Sequence, residues 1–324
     1  MELRGTKIVV VGGAGLIGSF VIEELLKEEV REIVVYDNFV RGSLENIEES
    51  LKDPRVSIFE AGGDIRETDI LKTALEGADV VFHFAALWLL QCHEFPRSAF
   101  DVNIQGTYNV LEACRDCGVK RLVYSSSASV YGDAVETPMT EEHPFMNRTF
   151  YGATKVAGEQ MARAFYERYN LDYAALRYMN VYGPRQDYHG AYVSVIMRIL
   201  DRIDEGKSPI VYGDGSQTYD FIYVRDVAKA NVCAAKSEAT DKAYNVGTGH
   251  GTSVKDICET LLKLTGSDLE IEYKDAGPTF VTQRIGSIEA ARDDLGFIAD
   301  TNLEDGLRSL IAWRNSDIKK KTAK

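Results

Sequence analysis

"VVVGGAGLIGS", residues 9–19, drives an apolar run straight into four glycines, Gly12, Gly13, Gly15 and Gly18. An apolar segment without in–out alternation is buried on both faces, as in a parallel sheet covered by helices. Glycines at 12, 15 and 18 close this strand and open a helix at Leu16 and Ile17. The spacing meets three needs: a tight turn, a backbone that can approach a pyrophosphate, and close helix–strand packing. An acid, Asp37 in "VVYDN", ends the next strand, with Asn38 beside it. Such a carboxylate accepts from both hydroxyls of an adenosine ribose and repels a 2′-phosphate, so NAD is expected over NADP. Arg41 is a nearby cation that would tolerate that phosphate.

Outward from this stretch, short apolar strands alternate with amphipathic helices. Strands are expected at Lys7–Val11, Glu32–Tyr36, Val56–Glu60, Val80–Ala85, Arg121–Ser125 and Tyr173–Arg177. Helices are expected at Ile17–Lys27, Ile70–Leu75, Ser98–Cys117 and Thr154–Tyr169. The fold class is α/β, a doubly wound parallel sheet. After about residue 180 the pattern changes to the Gly-, Pro- and Tyr-rich "VYGPRQDYHGAY". Helices at Val193–Glu205, Val227–Lys236 and Ile288–Leu295 and a strand near Leu269–Tyr273 follow. This reads as residues 1–180 plus about 220–250 in a dinucleotide-binding domain, and about 181–219 plus 251–315 in a smaller substrate lobe. Residues 316–324, which include the basic run KKKTAK, read as a frayed tail.

The bulk numbers exclude several function classes. The 324 residues carry a net charge of −13, which argues against a nucleic-acid or anionic-membrane partner. No apolar stretch is long enough to span a bilayer, and the N-terminus lacks a signal-peptide pattern. Five cysteines, an odd number, favour reduced thiols and a cytoplasmic location. The Cys114–Cys117 pair lies late in a helix, away from the position of a redox motif. The five histidines show no ligand spacing, so no metal is expected.

The strand Arg121–Tyr124 runs into "SSSASVYG", residues 125–132. Serines at a buried strand end must find hydrogen-bond partners, as caps, turn formers or catalytic donors. Farther on, "YGATK" puts Tyr151 and Lys155 four apart, on one helix face. A neighbouring ammonium favours the phenolate and makes the pair a base near neutrality.

These segments, with "GGDIRE", "VFHFAA", "VNIQGTYNVLEA", "LRYMNVYGPRQ", "GDGSQTYDFIYVRDVA" and "YNVGTG", resemble the extended short-chain dehydrogenase/reductases, specifically nucleotide-sugar 4-epimerases of the UDP-galactose 4-epimerase type. The resemblance implies that Ser127 hydrogen-bonds the substrate hydroxyl and that Tyr151 takes its proton. It implies that Lys155 holds the nicotinamide ribose and lowers the Tyr151 pKa. Asp64 and Ile65 would meet adenine, and Ala85 and Ala86 would line the cofactor groove. Asn103, Ser125 and Tyr178 would also belong to the cofactor site. Asn180 would face the sugar or diphosphate. Asn103 as a helix-side polar group and Asn180 as a turn former remain open readings. The resemblance also implies a homodimer through helices Ser98–Cys117 and Thr154–Tyr169, in a four-helix interface.

Ala128 and Ser129 bear on the reaction. Dehydratases of this family carry an Asp–Glu pair there, and elimination of water needs such a proton donor. Neither residue here supplies one, so the strand end is equipped for hydride and proton transfer alone. Two departures concern the substrate. Tyr219, and roughly Gly277, stand where the family has arginines for the diphosphate. Arg185, Lys274 and Arg284 are candidate substitutes, each with a solvated charge as the plain alternative. "LWLLQCHEFP", residues 87–96, replaces a polar loop, and Trp88 and Leu89 line the sugar pocket or belong to loop core. The leading expectation is an NAD-dependent epimerase of a nucleoside-diphosphate sugar, UDP-linked first. A net oxidoreductase on a sugar or sugar acid is the alternative, and a non-catalytic NAD sensor is a third reading that the Ser127–Tyr151–Lys155 set opposes.

Overall fold

The glycine-rich strand β1 (Lys7–Val11) lies inside a seven-stranded sheet in the computed structural model, which describes residues 1–188, 194–275 and 281–322. Its companions are β2 (Glu32–Tyr36), β3 (Val56–Ile58), β4 (Val80–His83), β5 (Arg121–Ser127), β6 (Tyr173–Tyr178) and β7 (Lys242–Val246). The order is β7-β6-β5-β4-β1-β2-β3, and every pair is parallel. Strand order reverses between β1 and β4, which opens a crevice at their carboxyl ends.

Period-two alternation divides the core into two layers. Ile8 and Val10 pack with Phe20, Val21 and Leu25 of α1 (Leu16–Leu25). Val9 and Val11 share the other layer with Leu71 of α2 (Thr68–Leu75), Val110 of α3 (Thr107–Asp116) and Phe165 of α4 (Phe150–Tyr169). Helix α5 (Val224–Lys236) lies against α1 on the first layer. The expected helix at Ser98–Cys117 is not continuous. A short helix, Pro96–Ala99, leads into a wide π-helical turn over Phe100–Gly106 before α3 begins.

The smaller lobe gathers the later elements. Arg284 of the strand Gln283–Arg284 pairs in register with Tyr219, and Asn180 pairs with Phe221. Helix α6 (Val254–Thr265) starts with a reciprocal cap between Ser253 and Asp256 and ends at Gly266, whose φ of 66° suits glycine. The final helix, α7 (Leu303–Thr322), takes in residues 316–322 of the expected frayed tail, and 323 and 324 lie outside the described residues. Distant partners order it: the buried Arg314 pairs with Asp201 and Asp204, and Asp317 accepts from the Tyr188 hydroxyl at 2.5 Å. Lys321 pairs with Asp317 one turn back at 2.8 Å. Residue 193, the expected start of a helix observed at Val195–Asp204, lies outside the described residues, as does Gly277.

One ionic contact binds α4 to the sheet. Arg177 of β6 donates to both carboxylate oxygens of Glu159, at 3.0 and 2.7 Å. Both side chains are buried, and Ser126 also donates to Glu159. Arg177 further donates to the Tyr131 hydroxyl and the Glu141 carbonyl, each at 2.8 Å. Tyr131 passes the chain on to Asn245 of β7 at 2.7 Å.

Candidate active site

A cleft of about 370 Å³ opens where the strand order reverses. Gly12, Gly15, Asp37, Asn38, Ala85 and Ala86 line it. Gly12 has φ 82°, and a Cβ there would lie 2.6 Å from the Ala85 amide nitrogen. Gly18 is a packing glycine, since its Cβ would lie 2.8 Å from the Gly13 Cα. Gly15 differs, because a Cβ would meet only the Gly12 carbonyl, at an ordinary 3.4 Å. The protein itself does not require glycine at 15, and the loop leaves open space there. Gly15 is also the N-cap of α1 and has no capping side chain, which leaves the first-turn amides at Leu16 and Ile17 facing the loop.

The Asp37 oxygens accept one amide each, from Ala14 at 2.9 Å and Phe39 at 2.8 Å. Each keeps acceptor capacity toward a ribose hydroxyl. Burial raises this carboxyl above its usual range, against the pull of the two amides. Asp64 and Ile65 line the same cleft, and Arg66 holds Asp64 at 2.5 Å. The ribose acid, the uncapped helix end and the glycine gap together fit NAD. The sequence had no signal for Phe84, Leu87 and Gln91 as further lining residues, because their loop approaches the cleft through tertiary packing.

Alternation along β5 gives each serine a different task. The Ser125 carbonyl accepts from the Lys155 Nζ at 2.6 Å, and its hydroxyl meets that of Tyr178. Ser126 faces the other layer and Glu159. The Ser127 hydroxyl accepts from the Ser129 amide at 3.1 Å and neighbours the Tyr151 phenol, which it pulls down against burial. Helix α4, capped by Thr149, then carries Tyr151, Lys155 and Glu159 four residues apart on one face.

The electrostatics correct one expectation. Burial pushes the Tyr151 phenol up to about 12, and Ser127 and Arg284 only partly oppose it. Lys155 lies 5.6 Å from the Tyr151 ring centre and is bonded to Ser125. Burial also lowers the Lys155 ammonium to about 8, against Cys92 and Glu159. The lysine therefore does not bring the phenol below its ordinary range, and the guanidinium opposing burial there belongs to Arg284. Cys92 is a further neighbour that the sequence reading missed. Its thiol is buried between the Leu87 carbonyl and Asn103, and no local pattern marks it.

Other expected residues have structural tasks. Asn103, in the π-helical turn, exchanges two hydrogen bonds with Leu87, at 2.7 and 2.8 Å, and donates to Thr154. Its amide positions the loop after β4 and is spent inside the fold. The Tyr178 hydroxyl donates to Asn231 at 2.9 Å. Asn180 donates to the Asp220 carbonyl at 3.3 Å, and Tyr219 to the Val281 carbonyl at 2.8 Å. Arg185, expected at the substrate, pairs with Glu23 of α1 and stacks 4.3 Å over Phe20. Trp88, expected at the sugar, lies beneath the Arg41 guanidinium at 4.9 Å, on the rim of the dinucleotide cleft. Lys274 sits in an exposed strand and pairs with Glu272. Arg284 is half-buried, with an unpaired Nε, and donates to the Gly132 carbonyl at 3.4 Å.

The lowered Lys155 pKa fixes a direction for stability. Between about pH 8 and 10.5 the unfolded lysine holds a proton that the folded one has lost. Stability from this group therefore rises with pH across that window. Denaturant titrations of dinucleotide-free protein should show wild type gaining on Lys155→Met from pH 8 to 10. A constant difference would contradict the assignment.

The family model described as the NAD dependent epimerase/dehydratase family matches residues 8–247. A putative UDP-glucose 4-epimerase of Methanocaldococcus jannaschii is 34% identical, over 96% of this chain and 99% of that protein. Among solved structures, a UDP-N-acetylglucosamine 4-epimerase of Methanobrevibacter ruminantium, in complex with UDP-N-acetylmuramic acid, superposes with a TM-score of 0.90 at 32% identity, covering 97% of this chain and 99% of that one. The UDP-glucose 4-epimerase of Thermotoga maritima with UDP-glucose gives 0.88 at 31%, covering 96% and 99%. With its parallel sheet, glycine-rich loop and the acid that ends β2, the chain belongs to the NAD dependent epimerase/dehydratase family, and its cofactor is NAD.

Proposed function

We propose that the protein interconverts C4 epimers of a nucleoside-diphosphate sugar, with UDP as the nucleotide. The observation carrying this reading is the convergence of Ser127, Tyr151 and Lys155 at the end of β5, with Ala128 and Ser129 where elimination would need acids. NAD, which the glycine loop 12–18 and Asp37 would hold, would supply a reversible hydride acceptor for the sugar C4. Tyr151 takes the C4 hydroxyl proton and later gives it back. Ser127 hydrogen-bonds the same oxygen and fixes its distance from the phenol. Lys155, held by the Ser125 carbonyl, places its ammonium beside the reacting end of the cleft. The UDP-sugar epimerases among the relatives support the substrate class. A panel of UDP-, GDP-, CDP- and dTDP-sugars tests it. The expected products are a C4 epimer pair, no net NADH and no 4-keto-6-deoxy sugar. Tyr151→Phe should lose about 10²- to 10⁴-fold in turnover. Stoichiometric NADH would instead establish the net oxidoreductase.

Arg284 is our candidate for the diphosphate. Its register partner is Tyr219, so its side chain leaves the same face of the ladder, where the family arginine is replaced. Among the described residues it makes no carboxylate ion pair, and nearby Asp133 is engaged by Thr282 and Gln283. Partial burial already disfavours its charge, so an anionic ligand is its natural complement. Calorimetric titration of UDP should show Arg284→Gln binding weaker by about 1.5–3 kcal/mol, as for a hydrogen bond to a charged group. Retained NAD would confirm that the variant is folded. Unchanged UDP affinity would remove Arg284 from the diphosphate site.

We further propose a homodimer through the two helical segments 96–116 and 150–169. Phe100, Tyr108, Phe150 and Tyr169 there are between 40% and 57% exposed, a concentration of aromatic surface that a partner would cover. Light scattering should give twice the chain mass, and Tyr108→Glu should shift it toward one. A monomeric wild type would exclude the dimer.

A further inference from the structure

We propose that Arg41 is a latch across the mouth of the dinucleotide cleft, one that keeps the dinucleotide resident between turnovers. Arg41 lines the cleft from the turn that follows β2. Its guanidinium stacks 4.9 Å over Trp88, in the loop after β4. The same guanidinium reaches Asp187 at 3.4 Å, in the loop that enters the smaller lobe. One side chain thus joins the turn after β2 and the loop after β4, whose Leu87 also lines the cleft, to the loop that enters the smaller lobe.

The two receiving segments are anchored. Leu87, next to Trp88, is held at both its amide and its carbonyl by Asn103. Asp187 is flanked by Arg185, paired with Glu23 of α1, and by Tyr188, bonded to Asp317 of α7. The Arg41 side chain is the part able to move, because its turn is tied to the glycine loop by the Ser43 amide and the Asn46 side chain, both donating to the Ala14 carbonyl. Its neighbour Val40 is 73% exposed, so the outward path is open. Swinging Arg41 outward breaks its two contacts without disturbing either anchor.

The latch rests on the epimerase reading for its purpose. A redox-neutral cycle returns the hydride to the same sugar, so the dinucleotide has no reason to leave. A net dehydrogenase must exchange it every turnover. The two contacts are weak ones, an exposed ion pair and a cation–π stack, so the latch slows release about tenfold and does not seal the cleft. It also occupies the cation that would otherwise be available to a 2′-phosphate.

The test follows release of bound NADH by its fluorescence after a chase with excess NAD⁺. Arg41→Ala should release NADH about tenfold faster than wild type. Trp88→Leu and Asp187→Asn should each release it faster by a smaller factor. The Arg41→Ala/Trp88→Leu double variant should be no faster than Arg41→Ala, because the two act through one contact. Added salt should speed release from wild type more than from Asp187→Asn. An unchanged rate in Arg41→Ala overturns the latch. So does fast release in Arg41→Ala with wild-type rates in the other two single variants, which would put Arg41 directly on the dinucleotide phosphates. These rates are measured without sugar, so a failed epimerase assay leaves them standing as a separate result.

Discussion

The ion pair between Arg177 and Glu159 is the contact on which the reacting end of the cleft depends. It is buried on both sides, and removing one partner of such a pair typically costs about 3–5 kcal/mol. It sets the rotation of α4 against β6, and so fixes the face that carries Tyr151 and Lys155. Through Tyr131 and Asn245 the same network reaches β7, and through Ser126 it reaches the strand that supplies Ser127. Ser127 and Tyr151 belong to different elements, and their becoming neighbours is a consequence of this anchoring.

A second theme is the placement of positive charge in an acidic protein. The chain carries a net charge of −13, yet Lys155 is buried and Arg284 half-buried beside the phenol. Glu159 is the nearest acid on the lysine's own helix face, and Arg177 already satisfies it. The reacting end of the cleft is therefore a positive pocket in a negative surface. Such a field favours an anionic substrate inside and discourages anions elsewhere.

Much of this was legible in the sequence, because the decisive signals are local. The glycine spacing, the acid ending β2 and the four-residue step from Tyr151 to Lys155 each act within one or two turns of chain. The expected strands Lys7–Val11 and Glu32–Tyr36 agree with the observed ones to the residue. What escaped depends on distant partners. Strand β7 and helix α7 gain order from pairing with β6 and from Asp201, Asp204 and Tyr188. The break at Asn103 comes from a loop that its amide must reach. The contacts of Arg185 and Trp88 have the same origin, since Phe20, Glu23 and Arg41 approach them only after the sheet is wound. The direction of the Tyr151 shift was also hidden, because desolvation depends on packing that spacing does not reveal.

The last helix has a consequence for the order in which the protein is made. Chains fold from the N-terminus as they emerge, so the glycine loop and the first six strands are available early. The Tyr188 loop gains its Asp317 contact, and Asp201 and Asp204 gain Arg314, only once α7 has left the ribosome. These parts of the smaller lobe are then ordered after the phosphate loop is in place. A nascent chain can meet its dinucleotide before the lobe beside it is pinned.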